Sequence, residues 1–200
     1  MRSFFTTGGV LAVTFIALTT VGLTICSTKQ NGHSTGMQAT VDSMTTAIKA
    51  MTDGKMALEH NLAKFDTLDY VIFSNQEWVR FHESHANDIV VNWPDGHHTT
   101  GLEKHIEDLK ALFVYAPDTR IKEHPIRFGD ATGEWTCVTG VFEGTFTEPM
   151  PVGNGKFIQP TGKAFKMPMC TVGHWKDGVM IEESLFWDNA TYMAQIGLGK

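Results

Sequence analysis

The chain has 200 residues, of which 42% are hydrophobic and 19% are charged, and its net charge at pH 7 is −6. This size fits one globular domain of about 100 to 150 residues together with an appendage. The acidic balance, without any cluster of lysine and arginine, argues against nucleic acid as a partner.

The N-terminal segment has the pattern of an export signal. Arg2 supplies a positive charge, and residues 4–25 form an uncharged run close to the roughly 20 residues that span a bilayer. Residues 1–26 are therefore expected to be a cleaved signal or a membrane anchor. Lipidation at Cys26 is disfavoured because Ile25 is large and branched. The protein is expected to be exported to the periplasm or beyond, with a membrane tether left open.

The next segment is polar and separates the export signal from the domain. Residues 27–36 are rich in Ser, Thr, Gln, Asn and Gly, with almost no apolar side chain. This composition is typical of a flexible linker, so residues 27–54 are predicted to be a tether and a lead-in to the first helix. The folded domain is expected over residues 55–198.

Three helices are predicted from apolar residues at helical spacing. The first runs from about Lys55 to Tyr70. The second begins at Ser74 and the third at Thr100, each with a glutamate three residues later that would complete a capping box. The third helix ends near Pro117.

Strands dominate the remainder of the domain. A first strand is predicted between the second and third helices. Further segments from residue 120 onward are rich in β-branched and aromatic residues. The predicted strands are 89–93, 121–128, 134–146, 163–175 and 179–187. Asp177 and Gly178 suit the positive φ angles of a two-residue turn, so the last two strands should be antiparallel neighbours. Helices followed by a twisted antiparallel sheet predict an α+β architecture.

Several short motifs, in this order and spacing, resemble the SnoaL-like polyketide cyclase or ester cyclase family of the nuclear transport factor two-like superfamily. They are residues 87–96 before Gly101-Leu102-Glu103, Pro160-Thr161-Gly162-Lys163 before a strand, and Glu182, Trp187-Asp188 and Gln195-Ile196-Gly197 at the end. The resemblance implies a cone-shaped barrel, in which a strongly curved, mostly antiparallel sheet wraps on N-terminal helices around an interior pocket. It also implies a pocket carboxylic acid that moves protons during intramolecular aldol closure, without a metal or organic cofactor.

Asp188 is the candidate catalytic residue, because it stands where the family pattern has an acidic residue near the cavity. Aromatic neighbours such as Trp187 would raise its pKa towards the value useful for acid–base catalysis. The alternative is that Asp188 only caps the C-terminal helix. The sequence departs from the family at Leu185, where relatives often carry a second acid.

Aromatic side chains on the predicted strands are expected to line a pocket for a small apolar or aromatic molecule. Trp93, Trp135, Phe146 and Trp187 form the predicted wall, although core packing would explain the same residues. Tyr115, at the mouth of the pocket, and His97 complete the predicted substrate-binding set.

The histidines and cysteines predict no metal site. His82 and His85 are three apart and could share a helix face, and a metal site could form if His105 or a carboxylate joined them. No HExxH pattern occurs, however, and hydrogen-bonded or exposed histidines are more common. Pairing of one histidine with the candidate acid would give a better proton-transfer group. Cys137 and Cys170 are interpreted as small buried hydrophobes, with a disulfide left open.

Two functions remain open on these grounds. The first is an enzyme that performs cofactor-free acid–base chemistry, of the intramolecular aldol or isomerisation type, on a carbonyl-containing apolar substrate. The second is a secreted or membrane-tethered binder of small apolar ligands without catalysis. A third interpretation makes the open face of the sheet a homodimer interface and the pocket vestigial.

Overall fold

The structure is a computed structural model that describes residues 19–199, with side chains from residue 34 onward. The predicted export segment therefore lies mainly outside the described residues and stays a prediction. Within the described part, no helix combines the length and the apolar character needed to cross a membrane. The chain divides between Lys49 and Ala50 into two compact units, and the sheet and the other helices belong to the second unit.

The first helix, α1, is longer than the sequence predicts. It spans Thr19–Thr67 and continues directly into a π-helical turn, Leu68–Phe73. The stretch predicted to be a tether is thus helical. Its threonine hydroxyls bond to helix carbonyls one turn earlier, as in the bond from Thr40 Oγ1 to Gly36 O at 3.0 Å. Local bonding of this kind lets polar residues sit within a helix instead of breaking it.

The two predicted capping boxes are wrong. Because the chain is already helical up to Phe73, Ser74 starts no helix, and its hydroxyl instead accepts a hydrogen bond from Ile121 N at 2.9 Å. A short 3-10 helix follows at Trp78–Glu83. Helix α2 spans Leu102–Tyr115 and is preceded by Gly101, whose φ of 99° suits glycine.

In residues 19–199, seven strands form one mixed sheet. Its strands are β1 His85–Asn92, β2 His98–Thr100, β3 Arg120–Ile121, β4 Ile126–Gly129, β5 Trp135–Thr145, β8 Ala164–Lys176 and β9 Val179–Phe186. The order is β2-β1-β9-β8-β5-β3, with β4 beside the other half of β5. Among the strands that the structure describes, only β1 and β9 pair in parallel. A separate two-stranded ribbon pairs β6, Met150–Pro151, with β7, Phe157–Ile158.

The predicted α+β class with a mostly antiparallel sheet is confirmed. In the described residues the end strands β2 and β3 do not pair with each other, so the sheet is open. The predicted hairpin is present: Asp177 and Gly178 have φ angles of 51° and 77°, and Lys176 pairs with Val179 across the turn. A last helix, α3, covers Asn189–Gln195.

The core lies between the sheet and the end of α1, and it fixes the positions of the polar side chains described below. Its fully buried members include Phe65 of α1, Trp175 of β8 and Met180 of β9. The indole nitrogen of Trp175 donates to Thr136 Oγ1 at 2.8 Å, which satisfies the only polar atom of that ring. The predicted strand 121–128 is interrupted between β3 and β4, and His124 lies in the gap.

Candidate functional site

The second unit encloses a cavity of about 310 Å³. This volume is at the lower end of the range for small-molecule pockets, about 300–1,000 Å³. Most of its wall is apolar or aromatic, with Leu68, Phe81, Leu112, Phe142 and Met169 among the residues that line it. Its polar wall residues include members of two clusters of ionisable side chains and a pair of tyrosines. The cavity thus has the form of a site for a small, largely apolar molecule.

Three of the predicted substrate-binding residues line this cavity: Trp93, Trp187 and Tyr115. The indole nitrogen of Trp93 donates to Thr99 at 3.0 Å, so its ring is held in place. The hydroxyls of Tyr115 and Tyr192 are 2.9 Å apart and form a hydrogen bond on the wall. Burial raises the pKa of Tyr115, which keeps its phenol neutral near pH 7.

The other three predicted residues do not line the cavity. Trp135 is 42% exposed and stacks on His174, because its neighbour Thr136 takes the inward-facing position of the alternating strand. Phe146 is fully buried in the core, edge-on to Tyr115. His97 is exposed and stacks against the outer side of the Trp93 ring at 5.7 Å.

Asp188 is exposed and is not part of the cavity wall. It is the N-cap of α3, and its carboxylate accepts hydrogen bonds from Ala190 N at 2.9 Å and from Thr191 Oγ1 at 2.5 Å. The bond from Thr191 is the largest of the effects that lower the pKa of Asp188 below its ordinary value. The predicted raised pKa is therefore wrong, and the geometry favours the capping interpretation.

The first polar cluster on the wall is centred on Asp69, in the π-helical turn after α1. Asp69 Oδ2 is 2.8 Å from His124 Nε2, and His124 Nδ1 is 2.9 Å from Asp66 Oδ1. Arg127 in turn binds the other oxygen of Asp66. The side chain of His124 is fully buried, while those of Asp66 and Arg127 are 25% and 48% exposed. A continuous chain of hydrogen bonds thus runs from the cavity to the surface.

Burial dominates the electrostatics of this first cluster. It raises the pKa of Asp69 above its ordinary value of 3.8, although the hydrogen bond from His124 acts in the opposite direction. Burial also opposes a charge on His124, but the bonds to Asp69 and Asp66 outweigh it, and the pKa of His124 is raised above 6.5. Both shifts are towards the protonated forms.

The second polar cluster consists of His85 at the start of β1, His105 on α2 and Glu183 on β9. All three are buried and line the cavity. Glu183 Oε2 lies 3.3 Å from His105 Nε2 and 3.9 Å from His85 Nε2, yet it accepts no hydrogen bond. Burial lowers the pKa of His105 to about 4, so this imidazole is neutral near pH 7. Burial alone would raise the pKa of Glu183, but the two imidazoles outweigh it and the pKa is lowered.

The sequence contained part of the signal for these clusters. Leu185, where the family pattern has an acid, does line the cavity. Glu183 lies two residues earlier on β9 and so shares its face, as strand alternation requires. By contrast, Asp69 falls within the predicted first helix, where its local pattern does not mark it as a site residue. Its contact with His124 joins residues 55 positions apart, which no local pattern predicts.

The fold is similar to solved structures of known families. A protein from Jannaschia sp. CCS1, assigned as a SnoaL-like polyketide cyclase, has a TM-score of 0.60 and 18% identity, over 71% of this chain and 94% of that one. IdmH from Streptomyces antibioticus, assigned as a polyketide cyclase, has a TM-score of 0.55 and 21% identity, over 68% and 98%. A protein from Catenulispora acidiphila with a ketosteroid isomerase-like fold was solved in complex with trimethylamine. It has a TM-score of 0.53 and 13% identity, over 69% of this chain and 92% of that one.

No curated protein matches this chain. The family model of SnoaL-like polyketide cyclases matches residues 67–196, which include the whole sheet and all of both polar clusters except Asp66. The match extends over more than half of the chain, and the protein therefore belongs to the SnoaL-like polyketide cyclase family.

Proposed function

We propose that this protein is an acid–base enzyme that acts on a carbonyl-containing, largely apolar substrate in the cavity. The observation that carries the proposal is Asp69, a buried carboxyl group on the cavity wall with a hydrogen-bonded path to the surface through His124 and Asp66. Asp69 thus takes the role that the family resemblance suggested for Asp188. The reaction class is an intramolecular aldol closure or an isomerisation.

The chemistry follows from the proton balance of the first cluster. In an aldol closure or isomerisation, a base removes a proton from the carbon next to a carbonyl, and an acid later returns a proton to carbon or oxygen. The carboxyl group of Asp69 can take the proton when ionised and return it when protonated, and its raised pKa makes the ionised form a stronger base than an ordinary aspartate. His124 exchanges a proton with Asp69 at one ring nitrogen and with Asp66 at the other.

The shape of the cavity supplies orientation. Its aromatic and aliphatic wall can hold a flat apolar substrate against Asp69 and keep bulk water away from the reacting carbon. The paired hydroxyls of Tyr115 and Tyr192 offer hydrogen-bond donors on the same wall. A non-catalytic binder would use the same wall, but it would have no use for a buried carboxyl group connected to solvent.

Deuterium exchange tests the proposal without knowledge of the natural substrate. The protein is mixed in D₂O with a panel of aryl ketones, and loss of the proton signal at the carbon next to the carbonyl is followed by NMR. Wild-type protein is expected to accelerate exchange for at least one ketone, and Asp69→Asn to lower that rate by about a hundredfold or more. Asn keeps the size of the side chain and an oxygen that can accept from His124, so folding should be preserved.

The matched control is Asp188→Asn, which removes an exposed carboxylate outside the cavity and should leave the exchange rate unchanged. Binding is measured separately through the fluorescence of Trp93 and Trp187, which line the cavity. Saturable binding together with no exchange by wild-type protein would favour the binder. Exchange that survives in Asp69→Asn would contradict the role of Asp69.

A further inference from the structure

The second polar cluster has an unusual concentration of unsatisfied buried atoms. Among the described residues, five buried side-chain nitrogen or oxygen atoms have no hydrogen-bond partner, and three of them belong to His85, His105 and Glu183. Buried polar atoms in native proteins are nearly always paired, and a group of unpaired ones points to a bound water or ion. Two of these atoms, His85 Nε2 and Glu183 Oε2, lie 3.9 Å apart. In His105 the unpaired atom is Nδ1, and its Nε2 lies 3.3 Å from Glu183 Oε2.

The tautomer of His85 sharpens this point. Its Nδ1 lies 2.9 Å from Ser84 Oγ and 3.2 Å from the carbonyl oxygen of Phe81, so a proton on Nδ1 can be donated to either oxygen. With the proton there, the lone pair is on Nε2, which faces Glu183 Oε2 at 3.9 Å. Two acceptor atoms directed at each other repel unless a positive centre lies between them. A backbone carbonyl that fixes the outer nitrogen of an imidazole is also the usual arrangement around a metal-binding histidine.

The distances fit a cation better than a direct hydrogen bond. Donor atoms about 2.1 Å from a tetrahedral metal ion are about 3.4 Å from each other. In the cluster, one nitrogen of each histidine and one oxygen of Glu183 all lie within 4.8 Å of one another, with 3.3 Å between His105 Nε2 and Glu183 Oε2. Small side-chain movements of about 1 Å would bring the three donors to bonding distance.

We propose that His85, His105 and Glu183 bind one divalent first-row transition-metal ion on the wall of the cavity. Two imidazole nitrogens and one carboxylate oxygen are a donor set typical of zinc and of non-haem iron(II), and calcium or magnesium would prefer oxygen ligands. Because the three residues also line the cavity, the remaining coordination positions face the space where a small molecule would bind. This departs from the metal-free chemistry that the family resemblance implies.

The proposed binding does not depend on the acid–base role of Asp69, since it can be measured without any substrate. One consequence does rest on that role. A cation in this position would share the cavity with Asp69 and could polarise a carbonyl oxygen while the carboxyl group handles the proton on carbon. The same ion would then contribute to substrate orientation.

Metal titration of the full chain, without a histidine tag and after dialysis against EDTA, tests the proposal. Zinc is added in a calorimeter, and cobalt(II) is added as a spectroscopic probe whose visible bands report nitrogen and oxygen ligands. One equivalent of zinc per chain and one cobalt spectrum are expected. Glu183→Gln and His105→Gln are each expected to weaken binding by more than the 10–100-fold that loss of an outer-shell partner costs.

Two controls separate this site from other histidines and from the proposed function. His82→Gln removes an exposed histidine three residues from His85 and should bind one equivalent with unchanged affinity, whereas loss of binding would assign the metal to the surface. Asp69→Asn should also bind one equivalent, even where it abolishes deuterium exchange.

Circular dichroism confirms that each variant is folded before titration. Folded wild-type protein that binds neither zinc nor cobalt would overturn the proposal and leave water as the partner of these atoms. Unchanged affinity in folded Glu183→Gln would overturn it as well.

Discussion

Substitution of Asp188 distinguishes a helix cap from a catalytic acid. Its carboxylate accepts a hydrogen bond from the backbone nitrogen of Ala190, and replacing such a cap by alanine costs roughly 0.5–2 kcal/mol, typically about 1 kcal/mol. The additional bond from Thr191 joins exposed groups and adds little. Asp188→Ala is therefore expected to lower the free energy of unfolding by about 1 kcal/mol. Asp188→Asn should change it by only a few tenths, because asparagine is an equally good cap.

Urea denaturation followed by circular dichroism measures these differences. In a domain of this size, about 1 kcal/mol corresponds to a fall of about 2–4 °C in the midpoint of thermal unfolding. Glu148→Ala is a suitable control, because this exposed carboxylate is not at a helix N-terminus, and it should stay within about 0.5 kcal/mol of wild type. The exchange rate with an active ketone should be the same in wild type and Asp188→Asn.

The kinetic result decides between the two interpretations. If Asp188→Asn were as stable as wild type but exchanged the ketone about a hundredfold more slowly, Asp188 would be the proton shuttle. The capping interpretation and the assignment to Asp69 would both then fail. An alanine variant with unchanged stability would contradict the calculated contribution of the cap.

Two further predictions concern stability. The raised pKa of His124 stabilises the fold fully below pH 6.5, and this contribution is lost as the pH rises through the raised value. In His124→Gln, the unfolding free energy should therefore fall less than in wild type as the pH rises above 6.5. Urea denaturation at a series of pH values measures this, and the same pH dependence in both proteins would contradict the ion-paired histidine. In α1, a Cβ atom on Gly54 would lie 2.0 Å from the carbonyl oxygen of Ala131. Gly54→Ala should thus cost about 1–3 kcal/mol by overpacking, despite the better helix propensity of alanine. Gly36→Ala, in the same helix with open space around it, should cost nothing; equal effects of the two substitutions would refute the argument.

Features that depend on local spacing could be predicted from the sequence. The apolar stripe of α2, the alternating strands and the turn at Asp177 and Gly178 all follow from the conformations that the residues themselves prefer. The order of these elements was sufficient to predict an α+β fold. Predictions from local spacing were wrong where another element bound the side chain in question. At Ser74, the hydroxyl accepts a hydrogen bond from β3 instead of capping a helix.

The prediction for Asp188 shows a different limit. The sequence placed an acid after a strand and next to a tryptophan, and both a cavity role and a cap fit that context. The choice between them depends on which way the side chain points, and the start of α3 turns it towards its own helix nitrogens. The orientation of Asp188 depends on the residue at which β9 ends and α3 begins. The sequence does not predict such a boundary to within one residue, so it could not decide between the two roles.

The two polar clusters are products of tertiary structure. Asp69 meets His124 only because the end of α1 packs against the gap between β3 and β4, and Glu183 meets His85 and His105 only because β9 pairs with β1 under α2. Such contacts depend on strand register and helix packing across the whole chain, and a shift of one residue in a strand would move a side chain to the opposite face. The sequence determined the elements and their order, whereas packing alone brought the ionisable groups together in an apolar cavity, where burial changes their pKa values and leaves some without partners.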